Sequence, residues 1–326
     1  VWLGMSICLL NAEEPRMIST SPDIELGAPF RDRAVLQRDM QVPVWGWSQP
    51  GAKVTVSFLE QEKTAVAGED GKWMVKLDPL KASFDPCELI VRDSEGSKVV
   101  RKDILVGEVW VAAGQSNMEE PAERTNVGKV LLNGIKQRVE AGKESWPVIR
   151  SCRVSGRESY LSHRGYSTSP YPVKRIEAGW DDGSDFSKYS SIAFPFAYDL
   201  HRELKVPIGI LNCSVGSTSL ESWVPLAGFS AQESEYAGRL RQKIEEIYPG
   251  TEAQQQAWKN YYRAMAEWIE VSRRRFQKRK PIDDPPVCPG RLDGTRNGPS
   301  WMYNGMMHPM APFAIRGVIW NQGWNN

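Results

Sequence analysis

Apolar residues alternate with other residues through the first third of the chain. Val42 and Val44, then Val54, Val56 and Phe58, then Trp73, Val75 and Leu77 occupy every second position. A period of two is that of a strand with one buried face. Gln49-Pro50-Gly51 and Glu69-Asp70-Gly71 punctuate these runs as turn signals. No convincing helical pattern interrupts residues 24–105, so the spacing predicts a small β-sandwich domain there.

From residue 106 the pattern changes. Residues 109–113, 208–211 and 317–320 are short apolar runs suited to strands buried on both faces. Phe196, Leu200 and Leu204 recur at four-residue spacing and predict a helix over 192–204 with that face inward. Buried strands alternating with helices imply an α/β domain over 106–326, a parallel sheet covered by helices. Each apolar run ends in small or polar residues, and such sheets bind ligands beyond the carboxyl ends of their strands. A helical insertion is expected over 229–300. Within it, 232–247 reads as helix, and Thr251 with Gln254 forms a capping-box signal for a second one. Trp258, Tyr262, Met265 and Ile269 mark one side of that second helix. The insertion reads either as a lid over a site or as a hairpin packed on the domain.

Composition narrows the functional classes. The 326 residues carry a net charge of +1, with 25% charged. That argues against a nucleic-acid or membrane-surface binder driven by bulk charge. Residues 1–12 are largely apolar and precede Glu13-Glu14-Pro15. They read as the remnant of a secretory signal peptide, too short to span a bilayer, or else as a buried strand. The first reading implies export to the periplasm or the extracellular space. Removing that stretch and its Cys8 leaves Cys87, Cys152, Cys213 and Cys288. An even number permits disulfides without assigning them. No Cys-x-x-Cys pair occurs, so a structural zinc site is not expected. Cys213, at an apolar strand end, reads as a small buried residue. The run Asp181-Asp182-Gly183-Ser184-Asp185 lacks the spacing of a calcium loop and reads as a solvated turn.

Candidate chemistry gathers at the end of the first apolar run, Val109-Trp110-Val111-Ala112-Ala113-Gly114-Gln115-Ser116-Asn117-Met118. A strand here enters a glycine, and a serine follows two residues later. Such a turn can lift a hydroxyl to the strand's carboxyl end while its N–H groups face a developing oxyanion. Ser116 is therefore a candidate nucleophile; the structural alternative is a helix-capping serine. Ser214 is a weaker candidate, because Asn212-Cys213-Ser214-Val215-Gly216 is not a Gly-x-Ser-x-Gly elbow.

The string Gly114-Gln115-Ser116-Asn117-Met118 after a Trp-Val strand resembles the nucleophile block of the sialate O-acetylesterase family, in the SGNH hydrolase superfamily. The resemblance runs from about Val35 to Asn326. Val35-Leu36-Gln37-Arg38, Val44-Trp45-Gly46-Trp47 and Gly71-Lys72-Trp73 carry it in the β-domain. Leu105-Val106-Gly107-Glu108 precedes the first block, and Gly216-Ser217-Thr218-Ser219-Leu220-Glu221-Ser222-Trp223 is similar to the second. Tyr303-Asn304-Gly305-Met306 and Gly317-Val318-Ile319-Trp320-Asn321-Gln322-Gly323 are similar to the third.

The resemblance implies an SGNH-hydrolase-like parallel sheet flanked by helices, preceded by the small all-β sandwich. It implies a serine esterase that removes O-acetyl groups from a carbohydrate, sialic acid or an acetylated polysaccharide, through an acyl-enzyme. In that reading Ser116 is the nucleophile. Gly216 offers its backbone N–H and Asn326 its side-chain N–H to the oxyanion, and Gln115, Asn117 and Gln322 contact substrate. No cofactor, metal, nucleic acid or membrane is called for, and the oligomeric state stays open. Two departures stand out. Where the family usually reads Gly-Glu-Ser-Asn, this chain reads Gly323-Trp324-Asn325-Asn326. The superfamily's base comes from an Asp-x-x-His segment, expected here beyond Asn326. Of His163, His201 and His308, His308 is the best placed to stand in. The competing reading is a carbohydrate-binding or scaffold homologue with impaired catalysis.

Overall fold

The computed structural model describes residues 24–155, 169, 172–231, 233–248, 250–289 and 296–323. The signal-like residues 1–12, with Cys8, and also His163, Trp324 and Asn326 lie outside the described residues. The chain first forms β1 (Glu25–Leu26), β2 (Val35–Gln37), β3 (Val42–Trp47), β4 (Lys53–Phe58), β5 (Gln61–Val66), β6 (Lys72–Leu77), β7 (Ser83–Asp93) and the long β8 (Lys98–Gly114). Then follow α1 (Asn126–Glu140), β9 (Ile149–Ser155), β10 (Glu177–Trp180), α2 (Ala193–Leu204) and β11 (Ile208–Ser214). Three helices, α3 (Leu226–Ser230), α4 (Glu235–Glu245) and α5 (Glu252–Gln277), precede β12 (Gly317–Asn321).

The period-two residues behave as their spacing predicts. Val42, Val44, Val54, Val56, Phe58 and Leu77 are fully buried, and Trp73 and Val75 nearly so. β1, β3 and β6 form a three-stranded antiparallel sheet. Its inner residues, Trp45 and Trp73 among them, share one core with Val56, Phe58, Leu89 and Val91 of β4 and β7.

β8 is the axis of the molecule. Its first part pairs antiparallel with β7 and parallel with β2. Its second part pairs parallel with β11 on one side and β12 on the other. The larger sheet runs β10-β9-β11-β8-β7-β4-β5, with β12 and β2 also on β8. The expected boundary at residues 105/106 thus falls inside a single strand. This α/β sheet is mixed as a whole: β9, β11, β8 and β12 are parallel, while β10 is antiparallel on β9. Alternate residues of β8 face opposite layers. Ala112 lies with Phe194, Ala197 and Ile210 under α1 and α2, whereas Val111 and Ala113 join the core shared with the sandwich.

A buried charge cluster clamps the place where β8 changes neighbours. The Glu108 side chain is 3% exposed and accepts from Arg38 Nε at 2.6 Å and Arg316 Nε at 2.9 Å. One residue on, Val109 N–H donates to Gln37 Oε1 at 2.8 Å. The ends of β2, the middle of β8 and the approach to β12 are fastened together.

Several expectations need correction. The helix over 192–204 exists as α2, but its buried residues are Ala193, Phe194, Ala197 and Tyr198. Phe196 and Leu200 lie at the flank, and Leu204 is exposed. Small Ala193 and Ala197 let the helix approach the sheet closely, with Phe194 and Tyr198 filling the space beside them. β12 is not buried on both faces: Val318 and Trp320 remain 49% and 40% exposed. The apolar side read for α5 is not inward either, since Tyr262 and Ile269 are exposed and Ser272 is its only buried residue among those described. Thr251 does cap α5, accepting from Gln254 N–H at 3.1 Å.

Asp181, Asp182 and Asp185 accept N–H bonds from Gly183, Ser184 and Ser187, the pattern of consecutive side-chain-capped turns. Cys87, Cys152, Cys213 and Cys288 are free thiols, the middle pair fully buried. Among the described residues, no helix is long and apolar enough to cross a membrane.

Candidate active site

The carboxyl ends of three parallel strands meet at Gly114, which pairs with Ser214 of β11 and Asn321 of β12. Gly114 has φ +118, and a Cβ there would stand 2.1 Å from the Asn321 carbonyl oxygen. Only glycine permits this turn. Gln115 N–H then donates to the same carbonyl at 2.8 Å. Ser116 follows with φ +53, in the left-handed region, and opens a short helical turn over Ser116–Met118. A non-glycine residue held there costs on the order of 1–3 kcal/mol. Buried Met118 anchors the turn, and Ser116 is left exposed.

The Ser116 hydroxyl donates to Gln115 Oε1 at 3.0 Å, and the same oxygen accepts from Ser217 N–H at 3.0 Å. One carboxamide therefore sets the serine hydroxyl and the second block together. Beside it, Gly216 N–H donates to Glu119 Oε2 at 2.6 Å. A Cβ on Gly216 would meet that oxygen at 2.6 Å and lie 3.9 Å from Ser116 N. Arg296 Nη1 donates to the Gly216 carbonyl at 2.7 Å. The third block closes the other side. Gln322 Nε2 donates to the Thr218 carbonyl at 2.9 Å. A Cβ on Gly323 would lie 2.7 Å from both Ser116 Oγ and Gln115 Nε2. Trp223 donates from its indole N–H to Thr218 Oγ1 and meets Trp320 edge-on, with ring centroids 5.6 Å apart.

The structure thus brings Ser116, Gly216, Gln115, Gln322 and Asn117 into one place. Gln115 is 1% exposed, and its side-chain oxygen ties Ser116 to Ser217. The Gln322 amide is engaged in tying the third block to the second. Asn117 is exposed beside Ser116, its carbonyl accepting from Ser191 Oγ. Asn326 lies outside the described residues. Sequence reading missed Glu119, Ser217, Arg296 and Gly323. Glu119 and Gly323 stand within or beside the recognised strings, but nothing in their spacing revealed what they touch.

Neither described histidine serves Ser116. His201 Nδ1 lies 2.8 Å from the Val206 carbonyl, before β11 begins. Ser116 sits beyond the other end of that sheet, a strand length of roughly 20 Å away. His308, suggested by sequence position, lines a cavity of about 190 Å³ with Trp45, Trp47, Asp70 and Lys72 of the sandwich. Burial, then the Lys72 charge, lowers its pKa below the ordinary value. Ser214 is buried, its Oγ at 2.5 Å from Asn212 Oδ1 and 3.1 Å from the Met118 carbonyl, a structural contact. No metal-holding group of three or more His, Cys, Asp or Glu side chains occurs among the described residues.

Fold and site define the class: an SGNH-hydrolase-like α/β chain presenting a serine at the carboxyl edge of its parallel strands. Comparison with known proteins specifies the kinship. No family model matches the chain. Sialate O-acetylesterases of Rattus norvegicus and Mus musculus are 25% and 26% identical to it, over 90% of this chain and 50% of theirs. That of Homo sapiens is 23% identical over 93% of this chain and 50% of its own length. The crystal structure of a carbohydrate acetylesterase from Xanthomonas citri aligns with a TM-score of 0.62 and 27% identity. It covers 93% of this chain and 52% of that one. The resemblance to sialate O-acetylesterases therefore extends along nearly all of this chain, which spans about half the length of the curated relatives it matches.

Proposed function

We propose that this chain carries the nucleophile and oxyanion donors of a serine esterase that removes O-acetyl groups from a carbohydrate. One observation carries the proposal: Ser116 is held on a left-handed turn at the strand edge, with Gly216 N–H and the Gly323 backbone close around it. The acetylesterase names of its relatives supply the substrate class. Ser116 Oγ attacks the acetyl carbonyl, the tetrahedral oxyanion collapses, and the sugar hydroxyl leaves with a proton. Water then releases acetate from the acyl-serine. Ser116 and Gly216 N–H groups are the oxyanion donors, with the Asn326 side chain as a third. In the resting site the Ser116 proton points at a carboxamide oxygen, which is no base. The hydroxyl must turn toward a residue other than His201 or His308, and the Asp-x-x-His segment of the superfamily is the proposed source. The glycan is a sialic acid or an acetylated polysaccharide, and the apolar residues 1–12 support an exported protein.

The test is aryl acetate and acetylated-glycan hydrolysis by the protein carrying that base segment. Ser116→Ala should lower turnover on the order of 10⁴-fold or more. A fluorophosphonate should label Ser116; labelling of a different serine, with Ser116 unmodified, refutes the assignment. A second reading, a glycan-binding homologue without catalysis, is favoured by Trp324 in place of the family's Glu. It predicts acetylated-glycan binding with no turnover in that same protein.

A further inference from the structure

The amide on which the esterase reading depends is already occupied. Glu119 Oε2 takes the Gly216 N–H at 2.6 Å. Glu119 belongs to the nucleophile's own turn, its N–H donating to the Ser116 carbonyl at 2.9 Å. The carboxylate therefore reaches across to the second block from a point three residues past the serine. An amide hydrogen points in one direction. An acyl oxygen served by Gly216 must lie about 2.7–3.1 Å from the same nitrogen. Two oxygens cannot both take that hydrogen at full strength. Moreover, a carboxylate left beside a developing oxyanion would repel it. An N–H bond to a carboxylate is roughly twice as strong as one to a neutral oxygen, so the acyl carbonyl faces a real competitor. Glu119 is exposed, and water can receive its carboxylate when it leaves.

We propose that Glu119 is the resident occupant of the oxyanion position, an internal ligand that an acyl group must displace. It sets the apparent affinity of the site for acyl esters without joining the chemistry. This inference rests on the esterase reading of Ser116 and Gly216.

Phenylboronic acid tests it without requiring turnover. The Ser116 oxygen adds to the trigonal boron, a B–O bond forms, the serine proton leaves to solvent, and the resulting tetrahedral anion places an oxygen at the donors. Binding is measured by calorimetry for the wild type, Glu119→Ala, Glu119→Gln, Glu120→Gln and Ser116→Ala. If Glu119 holds the amide nine times in ten, its removal should tighten binding about tenfold. Glu119→Gln should fall between, since a neutral carbonyl competes less well. Glu120→Gln, which alters the neighbouring carboxylate near Arg124, should match the wild type. Equal or weaker binding by both Glu119 variants overturns the proposal and makes Glu119 a tie that holds the Gly216 loop in place. In the protein carrying the base segment, if no variant binds the boronate, or Ser116→Ala binds it as well as wild type, the esterase reading itself falls and takes this inference with it.

Discussion

The atoms around Ser116 are set by backbone geometry. The left-handed φ at Ser116, the Gly114 turn and the Gly323 approach all serve one end: a hydroxyl lifted clear of a buried strand. Space is the limiting quantity. A methyl group added at Gly323 would press on Ser116 Oγ and Gln115 Nε2 together, at 2.7 Å each. Neither can retreat far, because Gln115 is buried and Ser116 is fixed by its turn. Gly323→Ala should therefore slow fluorophosphonate labelling of Ser116 by about 10²-fold, the scale of an ångström-sized misplacement. The check is the labelling rate, with far-UV circular dichroism showing a folded chain.

At the scale of elements, β8 does two jobs, and the Glu108 cluster sits where they join. Burial acts to raise the Glu108 pKa, but hydrogen bonds and charge from Arg316 and Arg38 outweigh it, and the net shift is downward. A carboxylate whose folded pKa is depressed adds stability above its unfolded value, near 4.3. That contribution is lost as pH falls through the lower folded value. Urea unfolding should then show a midpoint that drops below about pH 4.5 in the wild type. In Glu108→Gln this cluster's share of the drop should vanish. Removing the charge also strands two arginines at the strand junction. Arg38 and Arg316 are 24% and 36% exposed and can turn to water, so the loss should be on the order of 1–3 kcal/mol, read at pH 7 in the same experiment.

Across the whole molecule, one core runs from the sandwich through the underside of the parallel strands. Cys152 and Cys213 lie in it on adjacent strands, and burial pushes both thiols well above the ordinary value. Such thiols carry almost no thiolate and meet no reagent. A disulfide-exchange reagent should modify Cys87 and Cys288 in the native protein but leave Cys152 and Cys213 untouched until urea unfolds it. Peptide mapping of the labelled sites checks this. Early labelling of Cys152 or Cys213 would mean that the sheet opens locally rather than with the whole core.

What the sequence determined by itself was whatever depends on neighbours along the chain. Val42, Val44 and Val56 showed their buried face because side chains alternate across any strand. Thr251 revealed a helix start because its cap reaches only three residues on. The ordered strings marked Ser116 and Gly216, and a parallel sheet brings such strand ends together. Tertiary structure alone decided what depends on partners distant in sequence. The burial of α2 on Phe194 and Tyr198, rather than on Leu200 and Leu204, was set by what the sheet could accommodate, since several faces of that helix are apolar enough. Val318 and Trp320 were apolar in the chain yet exposed in the fold, because among the described residues β12 pairs with β8 alone and that face is only partly covered. The Gln115 carboxamide, which ties Ser116 to Ser217, bonds the latter across 102 residues. The meeting of Glu119 with Gly216 spans 97 residues and leaves no periodic trace. Local periodicity reports which way a side chain points; only the folded chain reports what it finds there.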